Sequence, residues 1–167
     1  LLVTGAGVAD DSARMRQWAK TLLLARIMEL KLEFAEVKVI SGDATGPDIW
    51  SREAVIQLSE MMKGLSHHQF NLDGNVYSID RKPSLWTSRT PPKHGDPGYT
   101  KWPLYRNEEM VRTVGRRQER DVFSVLEGLG FTAPWSRTQG TKHTLQLMRA
   151  LPFREIREAE CPEDLRT

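Results

Sequence analysis

Two short apolar runs, each closed by a glycine and each followed by a long helical pattern, constrain this chain most. Residues 1–4 run into Gly5-Ala6-Gly7, and residues 37–41 run into Gly42. A short apolar run that stops at a tight turn reads as a buried strand. After the first, Asp10, Asp11 and Ser12 offer cap oxygens, and Met15, Trp18, Leu22, Ala25 and Met28 recur every three to four residues, which predicts one buried helical stripe. After the second, Thr45 and Asp48 have capping-box spacing and Pro47 suits a first helical position. Ile49, Val55, Leu58 and Met62 continue that helix.

Alternation continues downstream. Asp73-Gly74 reads as a turn and residues 75–80 as a third strand; 105–117 is helical, 121–126 a fourth strand, 138–151 a fourth helix and 152–157 a fifth strand. Such alternation predicts a doubly wound, mostly parallel five-stranded sheet with helices on both faces. The 167 residues suit one domain, taken as 1–158, with 159–167 as an acidic tail. Between the third strand and the next helix lies a long loop, 81–103, holding Pro83, Pro91, Pro92, Pro97 and Pro103.

Composition narrows the class. At 39% hydrophobic and 28% charged residues, the chain is neither disordered nor a coiled-coil rod. No apolar run approaches the roughly 18 residues of a membrane span, so no membrane partner is expected. One cysteine, Cys161, favours a reducing, cytoplasmic setting. Net charge is +2, but residues 81–120 hold ten Lys/Arg against four Asp/Glu, a local balance of +6. That stretch reads equally as a solvated face or as a surface for an anionic partner.

In an open parallel sheet, ligands bind outside the carboxyl ends of the strands. The turn 41–48 lies there: its glycines let backbone N–H groups approach a ligand, and the helix start behind it favours a phosphate or carboxylate. Asp48 suits ribose hydroxyls. The plain alternative is a tight turn with Thr45 as the helix cap. It is no Walker loop, and Gly5-Ala6-Gly7 is no full dinucleotide fingerprint, since position 10 is Asp. Arg106 offers a forked donor for an anion and Asn107 a cap or a base contact; a surface arginine and a cap are the plain reading. Residues 136–143, with Arg137, Thr138, Gly140 and Thr141, form a second possible cradle or a capped helix start. His67-His68 point apart on most backbones, and no group has zinc spacing, so no metal is expected. His143 near Asp121 lacks a serine elbow. Trp86 and Trp102 are open to a stacking role.

In order, Thr4-Gly5, the turn Gly42-Asp43-Ala44-Thr45-Gly46-Pro47-Asp48, the run Arg106-Asn107-Glu108-Glu109-Met110 and the pair Gly140-Thr141 resemble the YspA-type branch of the SLOG superfamily. These are the Rossmann-like relatives of the Lonely Guy and lysine decarboxylase-like proteins. The resemblance runs nearly end to end, and the order of short motifs carries it. It implies a nucleotide or nucleotide-derived ligand, such as an NAD-derived signal, held by Thr4, Gly5, Gly42, Gly46, Asp48, Arg106, Asn107, Gly140 and Thr141. Asp43, Thr45, Arg137 and Thr138 complete the candidate set. Where family members have Ser-Arg after the first glycine, this chain has Ala6-Gly7, and the loop before Arg106 is longer. The Lonely Guy catalytic glutamate aligns with Thr144, so no catalytic residue is assigned. Glu108 or Glu109 offers a carboxylate from the opposite side.

A binder, acting as a sensor or a sequestering protein (in a phage, for example), therefore leads. No cofactor is expected. A nucleotide N-glycosidase or phosphoribohydrolase is the alternative, and a single-stranded DNA-processing protein a further one, with nucleic acid the less favoured partner. Self-association is expected, with the outer side of helix 105–117 as one surface for it.

Overall fold

The computed structural model describes residues 1–5, 13–120 (side chains to 116), 126–132 and 140–165. Strand β1 spans Leu2–Gly5, helix α1 Ala13–Glu33, β2 Val37–Ser41, α2 Pro47–Ser59, β3 Leu65–Phe70, β4 Asn75–Ser78 and β5 Ser84–Leu85. A 3-10 turn, Tyr99–Lys101, leads into α3, Trp102–Arg120; β6 is Glu127–Thr132, α4 Gly140–Arg149 and β7 Glu155–Glu160. A last 3-10 turn covers Glu163–Leu165.

The strands form one seven-stranded sheet in the order β5-β4-β3-β2-β1-β6-β7. The run from β3 to β7 is parallel, and β4 and β5 add an antiparallel edge. Alternate residues of each strand serve opposite faces. Val3, Val39, Leu129 and Phe131 join the buried side of α1 and α2, whereas Leu2 and Ile40 join α3 and α4. Helices therefore cover both faces. No helix among the described residues is long and apolar enough to cross a membrane.

The sheet thus has seven strands rather than five. The additional interior strand, β3, reads Leu-Ser-His-His-Gln-Phe. Its polar centre hides it from an apolar-run search, although His67 is fully buried. The strand expected at 75–80 is β4, hairpinned onto β3 through a turn at Gly74, whose φ is +91°. The strand expected at 121–126 lies outside the described residues except for Leu126, and pairing begins one residue later, in β6. In β6, Gly128 and Gly130 face α4, where a Cβ would lie 2.9 Å from Met148 Sδ and 2.8 Å from Leu145 Cδ2. Glycine here lets the helix sit close on the sheet, at the expense of a visible strand pattern.

The fifth expected strand shifts to Glu155–Glu160, and the expected tail is part of the packed body. Cys161 is fully buried, and Ala159 and Leu165 pack against the α1/α2 core. Likewise the buried stripe of α1 is Met15, Ala19, Leu23, Arg26, Ile27 and Leu30, one residue away from the expected one. Leu22 and Met28 are exposed. Loop 81–103 is anchored by aromatic rings. Trp86, Trp102 and Tyr105 pack mutually at 5.3–5.5 Å between centroids. The indole N–H of Trp86 donates to Asn71 O, that of Trp102 to Leu72 O, and Arg89 lies over Tyr105.

Candidate functional site

The site lies at the carboxyl ends of β1 and β2. Strand order places β1 between β2 and β6, so the connection after β1 runs to β2 on one side and the connection after β6 runs to β7 on the other. Such a switch point opens a crevice in a parallel sheet. The segments that follow β1 and β6, residues 6–12 and 133–139, lie outside the described residues, and Arg137 and Thr138 with them. The pairing of His143 with Asp121 also falls outside.

Strand β1 ends at nearly buried Thr4 and at Gly5, where a Cβ would lie 2.5 Å from Pro47 Cγ. The first two corners are therefore in contact. Strand β2 ends at Ser41, and Gly42 turns the chain in a space a Cβ would share, at 2.8 Å each, with Arg106 Cζ and Asp48 Oδ2. Gly46 precedes α2 with φ +107° and ψ −140°, a region that disfavours any side chain. It is the residue at the cap position, and no side-chain cap bond forms, so Thr45, which is exposed, does not cap α2. Asp48 instead reaches back, and its Oδ2 accepts the Ala44 N–H at 3.3 Å.

Arg106 comes from α3 and is only 7% exposed. Its Nη1 donates to Asp43 Oδ1 at 2.5 Å and to Phe70 O at 3.2 Å, while Nε donates to Asn107 Oδ1 at 3.1 Å. Its Nη2 makes no hydrogen bond among the described residues. Asp43 is held on both sides, because its Oδ2 accepts the Leu72 N–H at 3.0 Å. It therefore sets the position of Arg106 rather than reaching outward. Asn107 is buried, and its Nδ2 lies 3.7 Å from where a Gly140 Cβ would be, at the start of α4. The next residue, Thr141, is 4% exposed with its Oγ1 unpartnered. Thr144 Oγ1 donates to Gly140 O at 3.0 Å. The Arg106–Asn107 pair on α3 thus lies between the turn after β2, which Arg106 contacts, and the start of α4.

Burial pushes the Asp48 carboxyl up from 3.8 to about 7, with the Arg106 guanidinium and the Ala44 N–H pulling the other way and Asp43 adding to the rise. At neutral pH the cluster of Arg106, Asp43 and Asp48 therefore has little net charge. Glu109 pairs with Arg112, and Glu108 lies 3.7 Å from His143 Nε2.

Sequence reasoning missed the support beneath the turn. Ser41 and Ser51 each lie within 3.1 Å of His67 Nε2, and each hydroxyl also reaches Asp48 O. Burial, with Arg52 and His68 adding, pushes His67 down to about 3, so the ring is neutral. With both hydroxyl protons directed at Asp48 O, the ring must donate from Nε2, and Nδ1 is left without a partner. The available signal was Ser41 closing an apolar strand; nothing in the Ser-His-His-Gln run marks His67 as internal. Among the described residues no group of three or more His, Cys, Asp or Glu is placed to hold a metal.

A scan against protein-family models finds no match to this chain, and a search of curated proteins finds none either.

Proposed function

We propose that this chain binds a nucleotide or a nucleotide-derived ligand at the carboxyl rim of its parallel strands and does not turn it over. The fold we assign is correspondingly the doubly wound, Rossmann-like type, and the motif order resembling the YspA-type SLOG proteins supports the same reading. One observation carries it. Arg106 and Asn107 are buried yet keep donors uncommitted among the described residues, between the Gly42 turn and the start of α4. A preorganised guanidinium with an open edge suits a phosphate oxygen. Thr141 Oγ1 supplies a second buried polar atom awaiting a partner at a helix start. Since Asp43 pairs with Arg106, backbone N–H groups must hold much of the anion's charge, and Asp48 is suited to a sugar hydroxyl.

Calorimetry against AMP, ADP-ribose, cyclic dinucleotides and cyclic ADP-ribose isomers tests this. At least one should bind, and Arg106→Lys, which keeps the charge beside Asp43, should weaken it by about tenfold or more by losing the fork. No binding at millimolar ligand would sink the proposal.

Asp48 favours a second reading, a nucleotide N-glycosidase. A buried carboxyl poised near neutral pH is what proton transfer to or from a sugar–base bond requires. That reading requires free base to be released from a nucleoside monophosphate and to stop in Asp48→Asn. Intact substrate after hours with micromolar protein would dismiss it.

A further inference from the structure

Two carboxyls and one guanidinium share the space around Gly42, and only one of the carboxyls is bonded to the cation. Arg106 Nη1 donates to Asp43 Oδ1 at 2.5 Å. Asp48 is 5% exposed and makes no ion pair among the described residues. Its Oδ2 accepts the Ala44 N–H, and its Oδ1 makes no hydrogen bond among those residues. Yet the cation is near. Arg106 Cζ and Asp48 Oδ2 each lie 2.8 Å from the point where a Gly42 Cβ would stand, which puts the two within about 6 Å of each other.

Nothing else around Asp48 compensates its charge. On α2, Arg52 donates to Tyr77 O, and Glu53 is held by Arg16 and Lys20 of α1. On β3 the facing group, His67, is neutral. Strand β1 brings Thr4 and Gly5, which carry no charge. A buried carboxyl without a cation of its own holds its proton, and burial accordingly lifts Asp48 to about 7. Asp43 cannot take that role, because Arg106 and the Leu72 N–H hold its two oxygens.

An anion at the open edge of Arg106 shifts this balance in one direction. It offsets the positive field that favours the Asp48 carboxylate, adds a negative charge nearby and excludes water from the turn. We propose, on the footing of the anion site at Arg106, that the rim takes up its ligand together with a proton from solvent, carried on Asp48, so that binding tightens as pH falls. The neutral carboxyl keeps its Oδ2 acceptor for Ala44 and gains an O–H donor at Oδ1 for a ligand oxygen. Linkage makes the effect reciprocal: the proton favours the ligand as much as the ligand favours the proton.

Calorimetry of the full chain with ADP-ribose, a cyclic dinucleotide and AMP, in buffers of different ionisation enthalpy, counts the proton. The first two ligands hold a constant charge between about pH 5.5 and 8.5, and the phosphate titration of AMP cancels when two proteins are compared. The wild type should take up about half a proton per bound ligand at pH 7, rising toward one near pH 8. Its affinity should fall by up to about tenfold per pH unit above about pH 7 and flatten below. Asp48→Asn, neutral at every pH, should lose both the uptake and the slope, with circular dichroism checking its fold. His143, beside Glu108 near the start of α4, would favour an anion when protonated, so His143→Gln is the control and should keep both. The proton count in the wild type and in His143→Gln decides the matter even where Asp48→Asn fails to fold. Binding without proton uptake, uptake lost in His143→Gln, or uptake and slope that persist in Asp48→Asn would overturn the proposal and leave the nucleotide reading standing. No binding of any of the three ligands across this pH range would remove both.

Discussion

Asp48 offers the sharpest quantitative test of the site's electrostatics, and it needs no ligand. Its carboxyl is buried, and its pKa rises from 3.8 in the unfolded chain to about 7 in the folded one. Between those values the native state keeps a proton that the unfolded state has released. Stability therefore falls as pH rises through this window, by about 1.4 kcal/mol per pH unit. The gap from 3.8 to about 7 gives a total near 4 kcal/mol. Asp48→Asn keeps the shape and an acceptor for the Ala44 N–H but removes the titration. Urea unfolding of both proteins at several pH values, compared as a difference, cancels every other titrating group. The wild type should lose ground to the variant steadily above about pH 4 and level off above about pH 7. A stability difference that stays constant over this range would refute the burial argument, and with it the neutral charge we ascribe to the rim.

Other expectations follow from neighbouring features. Gly46→Ala places a side chain at φ +107° just before α2 and should cost about 1–3 kcal/mol by thermal unfolding, with any nucleotide affinity falling as well. His67 titrates in the opposite sense, since its folded pKa of about 3 lies below the ordinary 6.5. It contributes stability above pH 6.5 that fades as pH falls toward 3, and its ring proton resonances should not shift between about pH 8 and pH 5; a midpoint near 6.5 would contradict its burial. Far from the site, Glu127 opens β6 at 2% exposure, bound by Arg26 and by Arg154, whose Nε donates to it at 2.8 Å. Glu127→Ala strands buried Arg26 and should cost about 3–5 kcal/mol in a urea melt; a loss below about 1 kcal/mol would mean that water reaches this cluster.

Much of the rim was legible because its chemistry is local. A strand that stops at Gly42, a glycine at 46, a proline at 47 and an acid at 48 leave few ways to join a strand to a helix. Arg106, Asn107, Gly140 and Thr141 were visible as residue types near helix starts. Their convergence was not, because it depends on α3 and α4 crossing the same face of the sheet. Asp43 shows the difference: an exposed-looking acid in a turn is held by Arg106 and by the Leu72 N–H, and both contacts come from distant segments. Trp86 and Trp102, which sequence left open to stacking on a ligand, pack against each other at a tilt and donate to the Asn71–Leu72 backbone.

The sequence alone determined that strands and helices alternate, that a glycine-rich corner precedes a helix, and that α1 is helical with apolar periodicity. Tertiary structure decided which apolar arc of α1 faces inward, that Ser-His-His-Gln lies inside a strand, and that a Gly-Leu-Gly run is central to the sheet. The reason is physical. Periodicity reports angles between neighbours along one element, but not the side on which the sheet lies. A buried histidine or a strand glycine is stabilised by partners such as Ser41, Ser51, Leu145 and Met148 that only folding brings near.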